Sequence, residues 1–350
     1  MNTHVPTQGI GEWFGMRSDM SQKGAATQLR DRTIVSVIGA GSMGSGIAIA
    51  LAATGCVRLF DIDVKALERA SETINTAANT LASHPASRVN DPDELTENII
   101  IETELRDAVT SSDFIFEAVA EDFEIKKSVY NEIEALVADD TIIASNTSSL
   151  PLNQLCTSLE APERFVGAHW FHPPHIVPVV EVVQADATAD TTIARVMNLL
   201  RECGKDPVRL QRPIKGYIGN RVQSAMAREA WALLTEGIAA PEDIDAAIKG
   251  TFGFRLPLLG VFEKGDFSGL DIHHKVLTEL LPEVNADQEP ADALTDLVEA
   301  GRYGVKTESG VYGWENIDLK RETSERDVQL LDQLTVYAQR ESRWSRNETQ

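Results

Sequence analysis

Three glycines, Gly39, Gly41 and Gly44, stand between two runs of different periodicity, and few folds accommodate that arrangement. Ahead of them, Thr33–Ile38 (TIVSVI) has the apolar, β-branched pattern of a buried strand. Behind them, Ser42–Thr54 carries Met43, Ile47, Ala50 and Leu51 at helical spacing. In a G-x-G-x-x-G turn between strand and helix, Gly39 permits the tight bend and Gly41 lets backbone approach a pyrophosphate. Gly44 lets helix and strand pack closely. Ser42 and Met43 open the helix, where free N–H groups and partial positive charge favour phosphate. The next strand, Val57–Phe60, ends beside Asp61, about 20 residues on, where a carboxylate can accept both ribose hydroxyls. A 2′-phosphate would meet that charge, so the pattern predicts NAD rather than NADP. Asp63 is a nearby rival for this role, and the glycine turn alone does not separate NAD from FAD.

Strand-like and helical runs keep alternating. Further strands are expected at Ile99–Ile101, Phe114–Glu117, Ile142–Ser145, Phe165–Ala168, Val179–Val183 and Pro207–Leu210, with a long helix over 64–83. The alternation predicts an α/β class with a Rossmann-type, doubly wound parallel sheet. Near Pro213-Ile214-Lys215-Gly216 the character changes. Tyr217–Glu236 is amphipathic at helical spacing, Gly237 stops it, and Pro241 opens another helix. The expected organisation is a flexible extension over 1–30, an NAD-binding domain over 31–212 and a mostly α-helical domain over 213–350. A docked segment around Trp13-Phe14 is the alternative for the extension. The apolar stretch through Leu258-Leu259, Val261-Phe262 and Leu270 reads as core or as a subunit interface.

Composition removes whole classes of function. A net charge of −22 lacks the basic footprint of a nucleic-acid binder. No apolar run approaches the ~20 residues that span a bilayer, and the first thirty residues contain no apolar core of a secretory signal. The expectation is a cytoplasmic protein with neither nucleic acid nor membrane as partner. Cys56, Cys156 and Cys203 show no CxxC spacing, so they read as buried thiols rather than disulfide or zinc ligands.

Polar chemistry concentrates between residues 145 and 181. Ser145-Asn146-Thr147-Ser148-Ser149 follows the carboxyl end of a predicted parallel strand, where open α/β sheets bind ligand. His169 closes the run RFVGAH, and Glu181 interrupts the apolar run VVEVV. Oxidising an alcohol needs a base for the hydroxyl proton, which suits histidine. A carboxylate behind it can fix the tautomer and stabilise the imidazolium.

SNTSSLP, GAHWF-x-PP, PVVEVV and GYIGNRV, in that order, resemble the 3-hydroxyacyl-CoA dehydrogenase family from about Ile34 to Trp314. The resemblance implies a Rossmann-type domain followed by a helical domain that dimerises, so a homodimer is expected. It implies His169 as the base, Glu181 as its partner, and Ser148 and Asn220 as groups that hold the substrate oxygen. It also implies cofactor contacts from Glu121, Lys126, Ser148, His172 and Lys306. Taken alone, Lys126 is a surface helix lysine and Lys306 a solvated loop cation.

Three departures from the family pattern stand out. His172 occupies a position where asparagine is usual, and with His169 and His175 it raises a metal reading that Pro173-Pro174 disfavours. The helix after the second strand offers only Lys65 and Arg69, with Arg88 beyond it, to the phosphates of coenzyme A. Glu308 replaces a usual glycine. The leading expectation is oxidation of an L-3-hydroxyacyl-CoA. The alternative is a free 3-hydroxy acid or related alcohol, as in gulonate- or carnitine-type relatives.

Overall fold

The computed structural model describes residues 33–53 and 55–339. The extension expected at 1–30, with its Trp13-Phe14 alternative, lies outside them. The chain divides into two compact units, one ending at Tyr217 and the other beginning at Ile218.

The first unit is built on an eight-stranded sheet in the order β3-β2-β1-β4-β5-β6-β7-β8. The strands are β1 (Val35–Ile38), β2 (Val57–Phe60), β3 (Ile99–Glu102), β4 (Phe114–Glu117), β5 (Ile142–Ser145), β6 (Phe165–Trp170), β7 (Val179–Val183) and β8 (Asp206–Leu210). From β3 across to β6 every pair is parallel. The reversal from β2-β3 on one side of β1 to β4 on the other opens a crevice at the strand ends. The doubly wound parallel sheet expected from the sequence is formed by the six strands from β3 to β6; β7 is added antiparallel to β6, with β8 parallel to β7. The connection over 171–178 holds no helix, and a parallel return needs a crossover of a dozen residues or more.

Helix α1 (Ser42–Ala52) is buried along almost its whole length, which its glycine and alanine content permits. Helix α2 (Val64–Ala82) buries Ala66, Leu67, Ala70, Ile74, Ala77, Ala78 and Leu81, one stripe at three- and four-residue spacing. Asp63 caps it by accepting from the Lys65 amide. The polar stretch between Pro85 and Pro92 ends in the short helix α3 (Pro92–Glu97). Helices α4 (Leu105–Val109), α5 (Phe123–Glu134), α6 (Leu152–Cys156) and α7 (Asp190–Glu202) complete the layers. Cys156 and Cys203 are buried, but Cys56 is exposed, correcting the expectation of three buried thiols. It sits in the short connection just before β2, outside the core that the strand enters.

The second unit is helical: α8 (Gly219–Thr235), α9 (Pro241–Ile248), α10 (Val261–Ser268), α11 (Leu270–Leu280), α12 (Asp292–Glu299) and α13 (Leu319–Gln339). Its apolar residues are largely exposed, among them Phe254, Phe262, Phe267 and Leu270.

Candidate active site

The glycine turn is built as its spacing predicts. Gly39 has φ +103°, a value that strains any side chain. A Cβ on Gly44 would run into the Gly39 carbonyl, whereas a Cβ on Gly41 would meet nothing within 4 Å. Gly44 therefore closes the helix onto the turn, and Gly41 leaves an open approach. Ser42 and Met43 begin α1 with no side-chain cap and no acid in the first turn, so its N–H groups remain available to phosphate. Asp61 accepts from the Ala40 amide at 2.7 Å and the Asp63 amide at 2.8 Å. Each carboxylate oxygen keeps a second acceptor site for ribose. Asp63, the rival, is occupied as the cap of α2 and by Arg69 at 3.3 Å. These residues fit a dinucleotide.

A further glycine does what the triplet did not announce. A Cβ on Gly46 would lie 2.7 Å from Pro174 Cγ and 3.3 Å from His175 Nδ1. The His172–His175 segment, with a cis His172–Pro173 bond, thus packs directly on α1.

His169 and Glu181 are Cα partners across the antiparallel β6-β7 pair. Opposed residues project to one face of a sheet, and His169 Nδ1 lies 2.8 Å from Glu181 Oε2. Both side chains are buried, at 5% and 2% exposure. A carboxylate only accepts, so Nδ1 is the donor in this pair, and in the neutral imidazole Nε2 is then the nitrogen with the lone pair. The imidazole is flanked by the Phe171 ring at 4.6 Å and the Tyr217 ring at 5.3 Å. Tyr217 has φ 48° and is itself buried. Burial and the charges of Glu121 and Glu181 push its phenol well above the ordinary range, so it stays protonated.

Two further contacts bring the β5 turn to this histidine. Asn146 Oδ1 accepts from the Trp170 amide at 2.8 Å, tying the turn to the end of β6. The Gly216 amide donates to the Ser148 carbonyl at 3.1 Å. Glu121 gathers the turn from the other side: its Oε1 accepts from Thr147 Oγ1, the Ser148 and Ser149 amides, and Ser149 Oγ at 2.7–3.0 Å. Burial pushes the Glu121 carboxyl up, but these donors and Lys126 outweigh it and hold it at about 2.

Lys126 is 1% exposed, which overturns its reading as a surface lysine. Its ammonium lies between Glu117 at 2.5 Å and Glu121 at 3.5 Å. The sequence reading passed over Glu117, although it ends the apolar strand FIFE as Glu181 interrupts VVEVV, and that shared signal could have found it. Asn220 and Lys306 belong to the second unit. Asn220 lies in the first turn of α8, and exposed Lys306 in a single 3-10 turn, Val305–Thr307. Glu308 takes the left-handed conformation, φ 54°, that a glycine would adopt without strain. Among the described residues no group of His, Cys, Asp or Glu could hold a metal ion, and His169, His172 and His175 form no such cluster.

Lys205, also unforeseen, supports the His172–His175 segment from below. Its Nζ donates to the Pro174 and Val177 carbonyls at 2.7 and 2.9 Å and lies 5.7 Å from the Trp170 ring centroid. Burial lowers its pKa from 10.5 to about 7; Cys203 and Asp206 oppose the shift and Arg88 adds to it. Between those two values the unfolded chain binds more protons, so this residue makes stability rise as pH climbs from about 7 toward 10.5. Denaturant midpoints across that window should climb in the wild type relative to Lys205→Met. Identical pH slopes would remove the assignment.

A dinucleotide-type glycine turn beside the Asp61 carboxylate, at the same end of the sheet as a histidine backed by Glu181, is the arrangement of an NAD-dependent oxidoreductase acting on CH–OH groups. Residues 34–213 match the family model described as 3-hydroxyacyl-CoA dehydrogenase, NAD binding domain, and residues 216–314 match the C-terminal domain of the same family. The chain belongs to the 3-hydroxyacyl-CoA dehydrogenase family. It is 33% identical over 298 residues to the 5-formyl-3-hydroxy-2-methylpyridine 4-carboxylate 5-dehydrogenase of Mesorhizobium japonicum, covering 85% of this chain and 96% of that one. A solved structure of an enzyme of that activity, described as an NAD+-dependent dismutase, superposes with a TM-score of 0.83 at 31% identity over 89% of this chain and 100% of that one. The (S)-3-hydroxybutyryl-CoA dehydrogenase of Ralstonia eutropha superposes at 0.65, with 31% identity over 81% of this chain and 100% of that one.

Proposed function

We propose that this chain oxidises the hydroxyl of a small free acid or ring-bearing alcohol, with His169 as general base, rather than a coenzyme A thioester. NAD+ supplies the hydride acceptor. His169 Nε2 takes the hydroxyl proton, and Glu181 stabilises the imidazolium that results. Ser148 and Asn220 hold the substrate oxygen. Glu121 and the glycine turn set the cofactor side, with His172 and Lys306 as further contacts. Phe171 and Tyr217 flank the buried imidazole and keep it dry, which strengthens its pairing with Glu181.

The observation that carries the choice of substrate is the charge of α2 and its surroundings. Lys65 and Arg69 are offset by Glu68 and Glu72 on the same helix, and Arg69 pairs with Asp63. Arg88 donates to the Glu202 carbonyl. That surface has no cationic surplus for the phosphates of coenzyme A. The closer superposition on the pyridine carboxylate enzyme points the same way. A panel followed by NADH formation tests the reading: free 3-hydroxy acids, carnitine, gulonate, hydroxymethyl- and formyl-pyridine carboxylates, and 3-hydroxybutyryl-CoA. Turnover is expected with a free acid. Efficient turnover of the CoA ester alone would sink the proposal and restore the acyl-CoA reading, which the family's other members favour.

The homodimer belongs to the same proposal. Phe262 at 88%, Phe267 at 77% and Phe254 at 76% exposure are too apolar to be left to water. Light scattering should give twice the chain mass, and a monomer at micromolar concentration would contradict this. Among the described residues no helix is long and apolar enough to cross a membrane. The buried free thiols Cys156 and Cys203 suit the reducing cytoplasm we assign to the protein.

A further inference from the structure

We propose that Glu117 is a positioning residue: from the end of β4 it holds the Ser145–Ser149 turn, and with it the Ser148 hydroxyl, by two separate hydrogen-bonded routes. The inference rests on the reading of Ser148 as a substrate contact.

The first route runs through Ser145, the Cα partner of Glu117 across the parallel β4-β5 pair. Ser145 Oγ donates to Glu117 Oε2 at 2.8 Å and accepts from the Thr147 amide at 3.3 Å. The Tyr130 hydroxyl locks this corner, donating to Oε2 at 2.5 Å and lying 2.8 Å from Ser145 Oγ. Burial and the Glu117 charge push that phenol well above its ordinary range, so it remains a donor.

The second route is ionic. Glu117 Oε1 accepts from Lys126 Nζ at 2.5 Å and from the Val119 amide at 2.8 Å. Lys126 reaches on to Glu121 Oε2 at 3.5 Å, and Glu121 Oε1 collects the Thr147, Ser148 and Ser149 donors described above. Glu117, Lys126, Tyr130 and Ser145 are all buried, at 0–1% exposure. Both routes converge on one turn of five residues. Ser148 itself is clamped through its amide and carbonyl, and no described residue hydrogen-bonds its hydroxyl. A buried ion pair costs desolvation that an apolar pair of equal volume avoids. Core filling alone therefore does not call for this one, whereas aiming a hydroxyl does. Satisfied polar networks confer that kind of rigidity.

Glu117→Gln alone leaves Lys126 underpaired in the core and can fail to fold, so the deciding variant is the neutral double, Glu117→Gln with Lys126→Met. If the pair only fills the core, the double variant should match wild type in turnover. If it positions Ser148, the double variant should melt near wild type yet lose about tenfold to hundredfold in kcat, the scale of an ångström of misplacement. The KM readout belongs to Tyr130→Phe, which leaves Lys126 and Glu121 in place: there kcat should fall while KM for NAD+ moves little. A readout free of any substrate accompanies the double variant: amide hydrogen exchange over 146–150 should speed up markedly, while β1 and the glycine turn stay protected. Wild-type kcat and wild-type protection in the double variant would overturn the proposal. Tyr130→Phe, which removes one hydroxyl and no charge, gives the same test if the double variant does not fold, and unchanged exchange over 146–150 there would equally overturn it. If wild type turns over nothing in the panel, the functional reading falls, while the exchange measurement still decides the role of Glu117.

Discussion

Replacing His169 by alanine is expected to lower kcat by about 10²–10⁴-fold, the usual contribution of a positioned general base, while NAD+ binding stays nearly intact. The separation follows from the geometry. The imidazole is fixed through Nδ1 by Glu181, 2.8 Å away, and none of the groups that form the glycine turn depends on it. Glu181→Gln should also be severe, because an amide can present its NH2 to Nδ1 and stabilise the wrong tautomer. The two losses should not add: once His169 is gone, Glu181 has nothing to orient, so Glu181→Gln in the His169→Ala background should cost little more. Titration of NADH fluorescence alongside steady-state rates separates the outcomes. A fall in NAD+ affinity as large as the fall in kcat would make His169 a structural neighbour of the cofactor instead of the base.

The second large effect concerns the cofactor. Gly44→Ala places a Cβ against the Gly39 carbonyl, and neither backbone can yield without opening α1 away from β1. Overpacking of this kind costs about 1–3 kcal/mol, and because the displaced groups are the phosphate donors, affinity for NAD+ should fall by about tenfold to hundredfold. Thermal stability should fall with it. Gly41→Ala provides the contrast, since its Cβ meets nothing in the protein within 4 Å. There the fold should hold while NAD+ binding weakens, because the new methyl occupies the approach to the pyrophosphate. Calorimetric melting and NAD+ titration of the two variants test this together. Equal stability loss in both would mean that Gly41 serves packing rather than ligand.

Much of the site was legible because its signals are local. A positive-φ turn needs glycine at Gly39. A buried strand needs β-branched residues in VSVI, and α2 shows its stripe from Ala66 to Leu81. Asp61 and His169 announce themselves at strand ends. The burial of Lys126 was not legible because its sequence neighbours describe an amphipathic surface helix, while its partner Glu117 lies nine residues away on another element. Lys205 was invisible for the same reason: its acceptors are the Pro174 and Val177 carbonyls of a distant loop.

What the amino-acid order settled by itself was therefore the eight strands, the long helix α2 and the glycine turn, since these depend on torsion preferences and periodicity within a few positions. Folding decided the rest. The antiparallel return of β7 sets Glu181 opposite His169, a choice made by a connection too short to cross the sheet. Burial of Glu117 with Lys126 likewise depends on strands packed from far along the chain. Such pairings are long-range, and local preference carries no record of which surface will come to cover a side chain.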